Sequence, residues 1–243
     1  MTISQNRFIG CMSKVDLEQL QPHLRTIKLE QGQVVAESLG QVRDVWFPLS
    51  GILSCVVEME TGWVIESGMI GNDGALGAAQ ALDGKVSPHK VIVQVPGVAA
   101  VVNADRFKEV TRASPDLLAL VLKYEQFLLG QIQQTTGCNA LHSAEQRMCK
   151  WVVRMYDLVG PELPLTQEFL AQMMGVGRTT VTLVASQLQK AGLLSYRRGK
   201  VIIQNLELVE QRACECHQVV RTLYDSMFGK MESAGSSDQT PNG

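Results

Sequence analysis

Residues 165–203 read LTQEFLAQMMGVGRTTVTLVASQLQKAGLLSYRRGKVII, and this stretch decides the fold. Thr166 is a suitable N-cap for a first helix, because its hydroxyl can accept a hydrogen bond from an otherwise unpaired backbone N–H. Apolar residues then recur at helical spacing. Gly175 stands where the chain must turn sharply, and a residue without Cβ does so at little steric cost. The stretch therefore begins with a helix that ends in a tight turn.

A second helix is predicted to begin near Gly177. Its inner face is apolar and comprises Val181, Val184, Ala185 and Leu188. Its outer face has mostly short polar side chains with a cation at the N-terminal end, and comprises Arg178, Thr179, Thr182, Leu183 and Ser186. This pattern is typical of a recognition helix, whose first turns enter the major groove of DNA.

The charge of this region favours the same interpretation. Residues 171–203 contain five cations and no carboxylate, whereas the whole chain has a formal net charge of −2. A local basic face on a mildly acidic protein indicates a polyanionic partner. The segment SYRRGKVII predicts a basic hairpin, or wing, whose Arg197, Arg198 and Lys200 could contact phosphates. The alternative is a helical hairpin buried in a core with merely solvated cations, and the wing weighs against it.

Composition excludes several classes of protein. The 243 residues suit one large or two small domains. Residues 1–12 lack the order of a signal peptide, and no apolar run approaches the ~20 residues of a membrane helix. The six cysteines lack the spacing of a disulfide framework. We therefore expect a cytoplasmic protein with no membrane contact.

Residues 27–102 contain short apolar runs separated by Gly, Pro, Asn or Asp, which is typical of an antiparallel sandwich or barrel. Jelly rolls of this texture include metal enzymes, whose sites need several histidines and a carboxylate. This region has only His89. We therefore expect no metal, no cofactor and no catalytic residues in it, and predict that the protein is not an enzyme.

A long helix is predicted after Ser114, its N-cap, with Pro115 in the first turn. Its apolar residues cover more than one face, and one row follows a near-heptad spacing. We predict that this row forms the seam of a parallel homodimer; the alternative is a helix buried in one large core. The row comprises Leu117, Val121, Tyr124, Leu128, Gln131 and Thr135.

Further helices are predicted from Ser143 to Leu158 and, capped by Asn205, from there to about Phe228. The last one contains Cys214, Cys216 and His217. On one continuous helix these side chains point in different directions, and no fourth ligand has suitable spacing. We therefore expect buried thiols rather than a metal site. Residues 229–243 are polar and rich in Gly and Ser, and are expected to be disordered.

A roll, a long central helix and a winged helix in this order resemble the Crp/Fnr superfamily of bacterial transcription regulators. The segments that are similar to a subgroup of it are PHL, VWFPLSG, CNALHSAEQR, LPLTQEFLAQMMGV, YRRGK and ACEC. The resemblance implies that the roll senses a signal, the long helix dimerises and the recognition helix reads DNA. By motif position, Arg178 matches the arginine that reads guanine. Thr166, Gln167 and Thr180 match positions that touch DNA or its backbone.

Two departures from the family restrict its function. Ala78 stands where the cyclic-nucleotide members have a glutamate for the ribose, and Pro88 or His89 stands at the phosphate-binding arginine. A phosphate would lack its charge-assisted partner, so we expect no cyclic-nucleotide binding and leave the effector unknown. In the recognition helix, Thr179 and Leu183 replace the usual glutamate and arginine. The leucine suggests contact with a thymine methyl group.

These observations predict an α+β protein with an N-terminal antiparallel β-roll of the cyclic-nucleotide-binding-like jelly-roll type. The expected divisions are a sensor roll over 1–113, a dimerisation helix over 114–141, a winged helix–turn–helix domain over 142–228 and a tail over 229–243. The expected function is sequence-specific binding to inverted half-sites in double-stranded DNA, as a homodimer, with RNA polymerase as a partner if the protein activates. The alternative is a ligand- or protein-binding sensor on the same scaffold, without specific DNA binding.

Overall fold

A computed structural model describes residues 3–197 and 199–230 of the chain. They form two compact units. The first unit comprises the chain up to Val57 and Gly68–Leu129, and the second comprises Glu58–Ser67 and the chain from Gly130 onward. Arg198 and residues 231–243, for which we predicted a wing cation and most of a disordered tail, lie outside the described residues.

The first unit contains an antiparallel sheet flanked by helices. The strands are β1 (Arg25–Leu29), β2 (Val34–Ala36), β3 (Asp44–Glu58), β4 (Val64–Ile70) and β5 (Lys90–Asn103), and β3 and β4 extend into the second unit. The helices are α1 (Arg7–Gly10), α2 (Lys14–Leu20), α3 (Ala78–Leu82), α4 (Ala104–Ala113) and most of α5 (Pro115–Leu141), with 3-10 turns at Ile3–Gln5 and Gln21–His23.

The sheet has the strand order β1-β5-β3-β4, and β2 also pairs with β5. The pairings of β5 with β1, β2 and β3 are antiparallel. Alternate residues of these strands, such as Leu53, Val91 and Val93, are completely buried in one apolar cluster. The antiparallel N-terminal sheet predicted from the sequence is therefore confirmed.

Strands β3 and β5 bend where their backbones approach closely. The register between them shifts repeatedly from Pro48 to Leu53. A Cβ on Gly97 would lie 2.3 Å from the carbonyl oxygen of Ser50, and one on Gly51 would lie 2.6 Å from that of Val95. Since both obstacles are backbone atoms, glycine is required on both strands at this bend.

Helix α5 begins as predicted, with the Leu117 amide donating to the Ser114 hydroxyl at 3.1 Å. The predicted dimer row, however, packs largely within its own chain. Tyr124 contacts Phe8 edge to face, with the ring centroids 5.5 Å apart. Its hydroxyl lies so close to Gly74 that no Cβ would fit there. The members buried in the single chain are Leu117, Val121, Tyr124 and Gln131, while Leu128 and Thr135 are half-buried.

This row is therefore not the exposed face of α5 in the described chain, and its burial there weighs against it as a dimer seam. The apolar residues that α5 does expose are offset by one position. Leu118 is 40% exposed, and Leu122 and Leu129 are each 55% exposed. Helical spacing places these three on one side of the helix.

The second unit contains the remaining helices and a small sheet. Its elements are α6 (Ala144–Val159), β6 (Glu162–Leu163), α7 (Gln167–Met174), α8 (Arg178–Lys190), β7 (Leu194–Arg197), β8 (Lys200–Ile203), α9 (Leu206–Arg212) and α10 (Cys216–Phe228). A capping box formed by Ser143 and Gln146 starts α6. Strands β6, β8 and β7 form a three-stranded sheet in this order. No helix among the described residues is long and apolar enough to cross a membrane.

The predicted single C-terminal helix is wrong, because the chain leaves helical geometry between α9 and α10. Asn205 caps α9 as predicted, accepting from the Leu208 amide at 3.0 Å. At the other end of α9, Ala213 has extended backbone angles, φ −67° and ψ 153°. The segment 213–215 therefore redirects the chain before α10 begins.

The bend between β3 and β5 yields a test of the fold. Gly97→Ala should destabilise the protein by about 1–3 kcal/mol, because the added methyl group meets a backbone oxygen that cannot rotate away. Gly10→Ala is the control, since its Cβ would meet nothing within 4 Å. Denaturant unfolding of both variants measures the difference, and equal stabilities would show that the two strands are not this close.

Candidate nucleic-acid interface

Helices α7 and α8 form a helix–turn–helix whose boundaries follow from local chemistry. The Thr166 hydroxyl accepts from the Phe169 amide at 3.1 Å and starts α7. Gly175 ends α7 in the left-handed region, with φ 61°. Gly177 is the N-cap of α8 and provides no side-chain cap. The first turn of α8 therefore presents backbone N–H groups next to Arg178.

Helix α8 separates a buried face from an exposed one. The side chains on the buried face are Val181, Val184, Ala185 and Leu188. Those on the exposed face are Arg178, Thr179, Thr182, Leu183 and Ser186. Leu183 is 61% exposed, which leaves its methyl groups available for contact.

Two predicted DNA-contacting side chains on neighbouring helices are linked. The Thr182 hydroxyl lies 3.0 Å from Gln167 Oε1 and 3.0 Å from the backbone oxygen of Arg178. The structure therefore brings Gln167 of α7 and the first two turns of α8 together on one surface. Thr180 is half-buried and is less accessible than Thr179.

The wing is the β7–β8 hairpin, with Gly199 in its turn at φ 76°. Arg197 and Lys200 pair across the two strands at its tip, and both are exposed. Lys200 also forms an ion pair with Glu162 of β6, with Nζ 2.9 Å from Oε2. The charge of Lys200 is therefore partly offset by a neighbouring carboxylate.

The hairpin of residues 58–67, which joins β3 to β4, packs on the helix–turn–helix. A Cβ on Gly175 would lie 2.7 Å from Ile65 Cδ1, so the turn between α7 and α8 is in close contact with this hairpin. The indole N–H of Trp151 in α6 donates to the buried carboxylate of Glu66 at 2.8 Å. Nothing in the sequence pattern predicted this long-range contact.

In the first unit, residues 74–91 are the roll segment that we compared with the cyclic-nucleotide cassette. Each lysine of this described segment has a carboxylate partner. Ala78 is completely buried at the start of α3. Lys85 pairs with Asp105, and Lys90 lies 3.9 Å from Glu37. Burial lowers the pKa of His89, which disfavours its cationic form.

The second unit contains a cluster that the sequence pattern did not reveal. Cys138, His142, Cys214 and Cys216 place one ligand atom each within 4.8 Å of one another. The expectation that no fourth ligand was suitably placed is therefore wrong. The break after α9 turns both Cys214 and Cys216 toward the end of α5, where Cys138 and His142 lie. His217 points elsewhere, with Nε2 2.9 Å from Asp157 Oδ2.

The thiols of this cluster influence one another. The hydrogen bond from Cys214 lowers the pKa of Cys138, and the same contact raises the pKa of Cys214. Burial raises the pKa of Cys216. Cys149 of α6 is outside the cluster, and burial raises its pKa to about 12. The cluster thus favours one thiolate, at Cys138, over the others.

Comparison with protein families gives one match. Residues 146–212 match the model of the Crp-like helix-turn-helix domain. This range includes most of α6, both helices of the helix–turn–helix, the wing and α9. No curated protein matches the chain.

Solved structures share the fold at low sequence identity. A regulator of the Crp/Fnr family from Eubacterium rectale is 14% identical with a TM-score of 0.66, and the match covers 84% of this chain and 95% of that one. FixK2 from Bradyrhizobium japonicum is 11% identical with a TM-score of 0.67, covering 79% and 98%. The c-di-GMP responsive global regulator CLP from Xanthomonas campestris is 16% identical with a TM-score of 0.62, covering 79% and 100%.

Two of these solved proteins are named as regulators, and the domain match falls on the helices and wing described above. Residues 146–212 are thus similar to the Crp-like helix-turn-helix domain, and the chain shares the fold of these solved structures.

Proposed function

We propose that the protein binds DNA sequence-specifically as a homodimer, reads inverted half-sites with α8 and anchors itself to phosphates through the wing. The observation that carries this proposal is the exposed face of α8, which begins at Arg178 and continues through Thr182. A helix of this kind contacts base edges with its N-terminal residues.

Arg178 is the proposed base-reading residue. A guanidinium in the first turn of the recognition helix can donate two hydrogen bonds to O6 and N7 of a guanine. Leu183 lies five residues further on and is exposed, which suits contact with a thymine methyl group. Thr166, Gln167, Thr179 and Thr180 are proposed to support these contacts or to touch the backbone.

The proposed dimer seam is the apolar row that α5 leaves exposed. Leu118, Leu122 and Leu129 repeat at intervals of four and seven residues, as in a coiled-coil seam. A second copy of α5 would cover this row and place two α8 helices for two half-sites. This arrangement replaces the seam predicted from Leu117, Val121 and Tyr124.

The first unit is proposed to sense a cytoplasmic signal that is not a cyclic mononucleotide. The route to DNA is the 58–67 hairpin, because it is continuous with β3 and β4 and contacts Gly175 through Ile65. A change at the ends of these strands would shift the turn that positions Arg178. RNA polymerase is the expected protein partner if the regulator activates.

Replacing Arg178 tests base reading. Arg178→Ala should weaken binding to the operator by roughly 1–3 kcal/mol per half-site while largely sparing random DNA, and one guanine position per half-site should become tolerant. Arg178→Lys should not restore specificity, since an ammonium lacks the planar fork. Lys190→Ala, at the far end of the same helix, is the control. The measurement is a base-by-base binding series at fixed salt, and equal weakening on every sequence would make Arg178 a backbone anchor.

Removing the described wing cations tests phosphate anchoring. Arg197→Ala with Lys200→Ala should reduce the slope of log K against log salt by about 0.9 for each phosphate that the protein no longer neutralises, on every DNA sequence alike. Lys14→Ala with Lys28→Ala removes the same charge from exposed sites of the first unit and should leave the slope unchanged. If both double variants have the same slope of log K against log salt, the wing does not contact DNA phosphates.

Charging the exposed row tests the seam. Leu122→Glu should raise the dissociation constant of the dimer by about 100-fold, because both copies would bury an unpaired carboxylate. Val15→Glu, which charges another exposed apolar side chain of the first unit, is the control. Analytical ultracentrifugation measures both. An unaltered dimer in Leu122→Glu would place the interface elsewhere.

A further inference from the structure

We propose that Cys138, His142, Cys214 and Cys216 bind a single zinc ion in the second unit. Three of these side chains are buried, and the fourth, His142, is half-buried. They come from two segments that are far apart in sequence, the end of α5 and the break between α9 and α10. This proposal is independent of the DNA-binding assignment.

The distances fit one tetrahedral ion. Cys138 Sγ lies 3.6 Å from Cys214 Sγ, and Cys216 Sγ lies 3.5 Å from His142 Nδ1. With Zn–S bonds of about 2.3 Å and Zn–N bonds of about 2.0–2.1 Å, the edges of a tetrahedron are about 3.8 Å between two sulfurs and about 3.6 Å between sulfur and nitrogen. The two observed separations are thus close to tetrahedral edges.

The same distances argue against an iron–sulfur cluster. In a cluster, several irons and bridging sulfides lie between the protein ligands, which must then stand further apart than around one ion. Here all four ligand atoms lie within 4.8 Å of one another. Three thiolates and one imidazole also form a ligand set that is common in structural zinc sites. Four protein ligands leave no open position, so the proposed ion is structural rather than catalytic.

The surrounding side chains orient the ligands as they do in zinc sites. His142 Nε2 lies 3.2 Å from Glu215 Oε1, so an Nε2–H can donate to the carboxylate while Nδ1 lies 3.5 Å from Cys216 Sγ. Such carboxylate–histidine pairs fix the tautomer of zinc-binding histidines. Gln134 Nε2 donates to Cys216 Sγ at 3.1 Å, which would stabilise a bound thiolate.

A disulfide between Cys138 and Cys214 is the main competing chemistry. It would require the two sulfurs to approach from 3.6 Å to about 2.05 Å. It would also leave the convergence of His142 and Cys216 on the same point unexplained. An ion uses all four groups and joins α5 to the C-terminal helices, so its binding would add to the stability of the second unit.

Metal analysis of the full-length protein, purified under reducing and oxygen-free conditions, tests the proposal. Elemental mass spectrometry should find one zinc per chain. Exchange for Co²⁺ should give the intense visible absorption of tetrahedral cobalt together with thiolate-to-cobalt charge transfer. Cys138→Ser and His142→Ala should each lose the zinc or alter the cobalt spectrum. Cys149→Ala removes a buried thiol of the same unit that is outside the cluster, and should retain both.

Glu215→Ala provides a variant in which all four ligands remain and only the partner of His142 is removed. It should weaken zinc binding by about 10–100-fold in competition with a chelator, without changing the stoichiometry. Several outcomes would overturn the proposal: no zinc and no cobalt binding, iron with labile sulfide, a Cys138–Cys214 disulfide that persists through the reducing purification, or zinc that Cys138→Ser leaves unchanged.

Discussion

The burial of one face of α8 is the constraint on which the proposed DNA-binding surface depends. On this face, the side chains of Val181, Val184 and Leu188 are removed from water. Burying each such side chain contributes about 1.5–3 kcal/mol of hydrophobic stabilisation. Because a helix is rigid at this length, burying them fixes the direction of the opposite side chains. Arg178 and Thr182 therefore face solvent together, and any rotation of α8 that hid them would expose the core.

Local chemistry made this part of the structure predictable. The hydroxyl of Thr166 starts α7, and the left-handed backbone of Gly175 ends it. Gly199, whose φ is also positive, lies in the turn of the wing. The roll and the Crp-like domain followed from strand texture and motif order, and the comparisons confirm them. The roles of Arg178 and the wing cations in binding DNA remain predictions.

The rest depended on contacts between distant residues, which periodicity does not reveal. Helix α5 has two apolar sides, and the sequence alone did not show which one its own chain would cover. Tyr124 faces inward because its ring packs edge to face on Phe8 and its hydroxyl occupies the space left by the missing Cβ of Gly74. Likewise, Cys214 and Cys216 would diverge on a continuous helix. The extended backbone at Ala213 brings them to Cys138. The sequence signal that could have revealed the cluster is the i, i+4 spacing of Cys and His in CNALH (138–142), considered together with the two cysteines of ACEC (213–216).

Two α8 helices that read two guanines related by a two-fold axis are central to the proposed mode of DNA binding. Selection of bound sequences from a random DNA pool, followed by interference mapping with guanine N7 methylation, tests this arrangement most directly. We expect an inverted repeat with half-site centres about one helical turn, ~34 Å, apart, and one guanine per half-site whose methylation abolishes binding. Bound sequences without two-fold symmetry, or binding indifferent to guanine methylation, would contradict it.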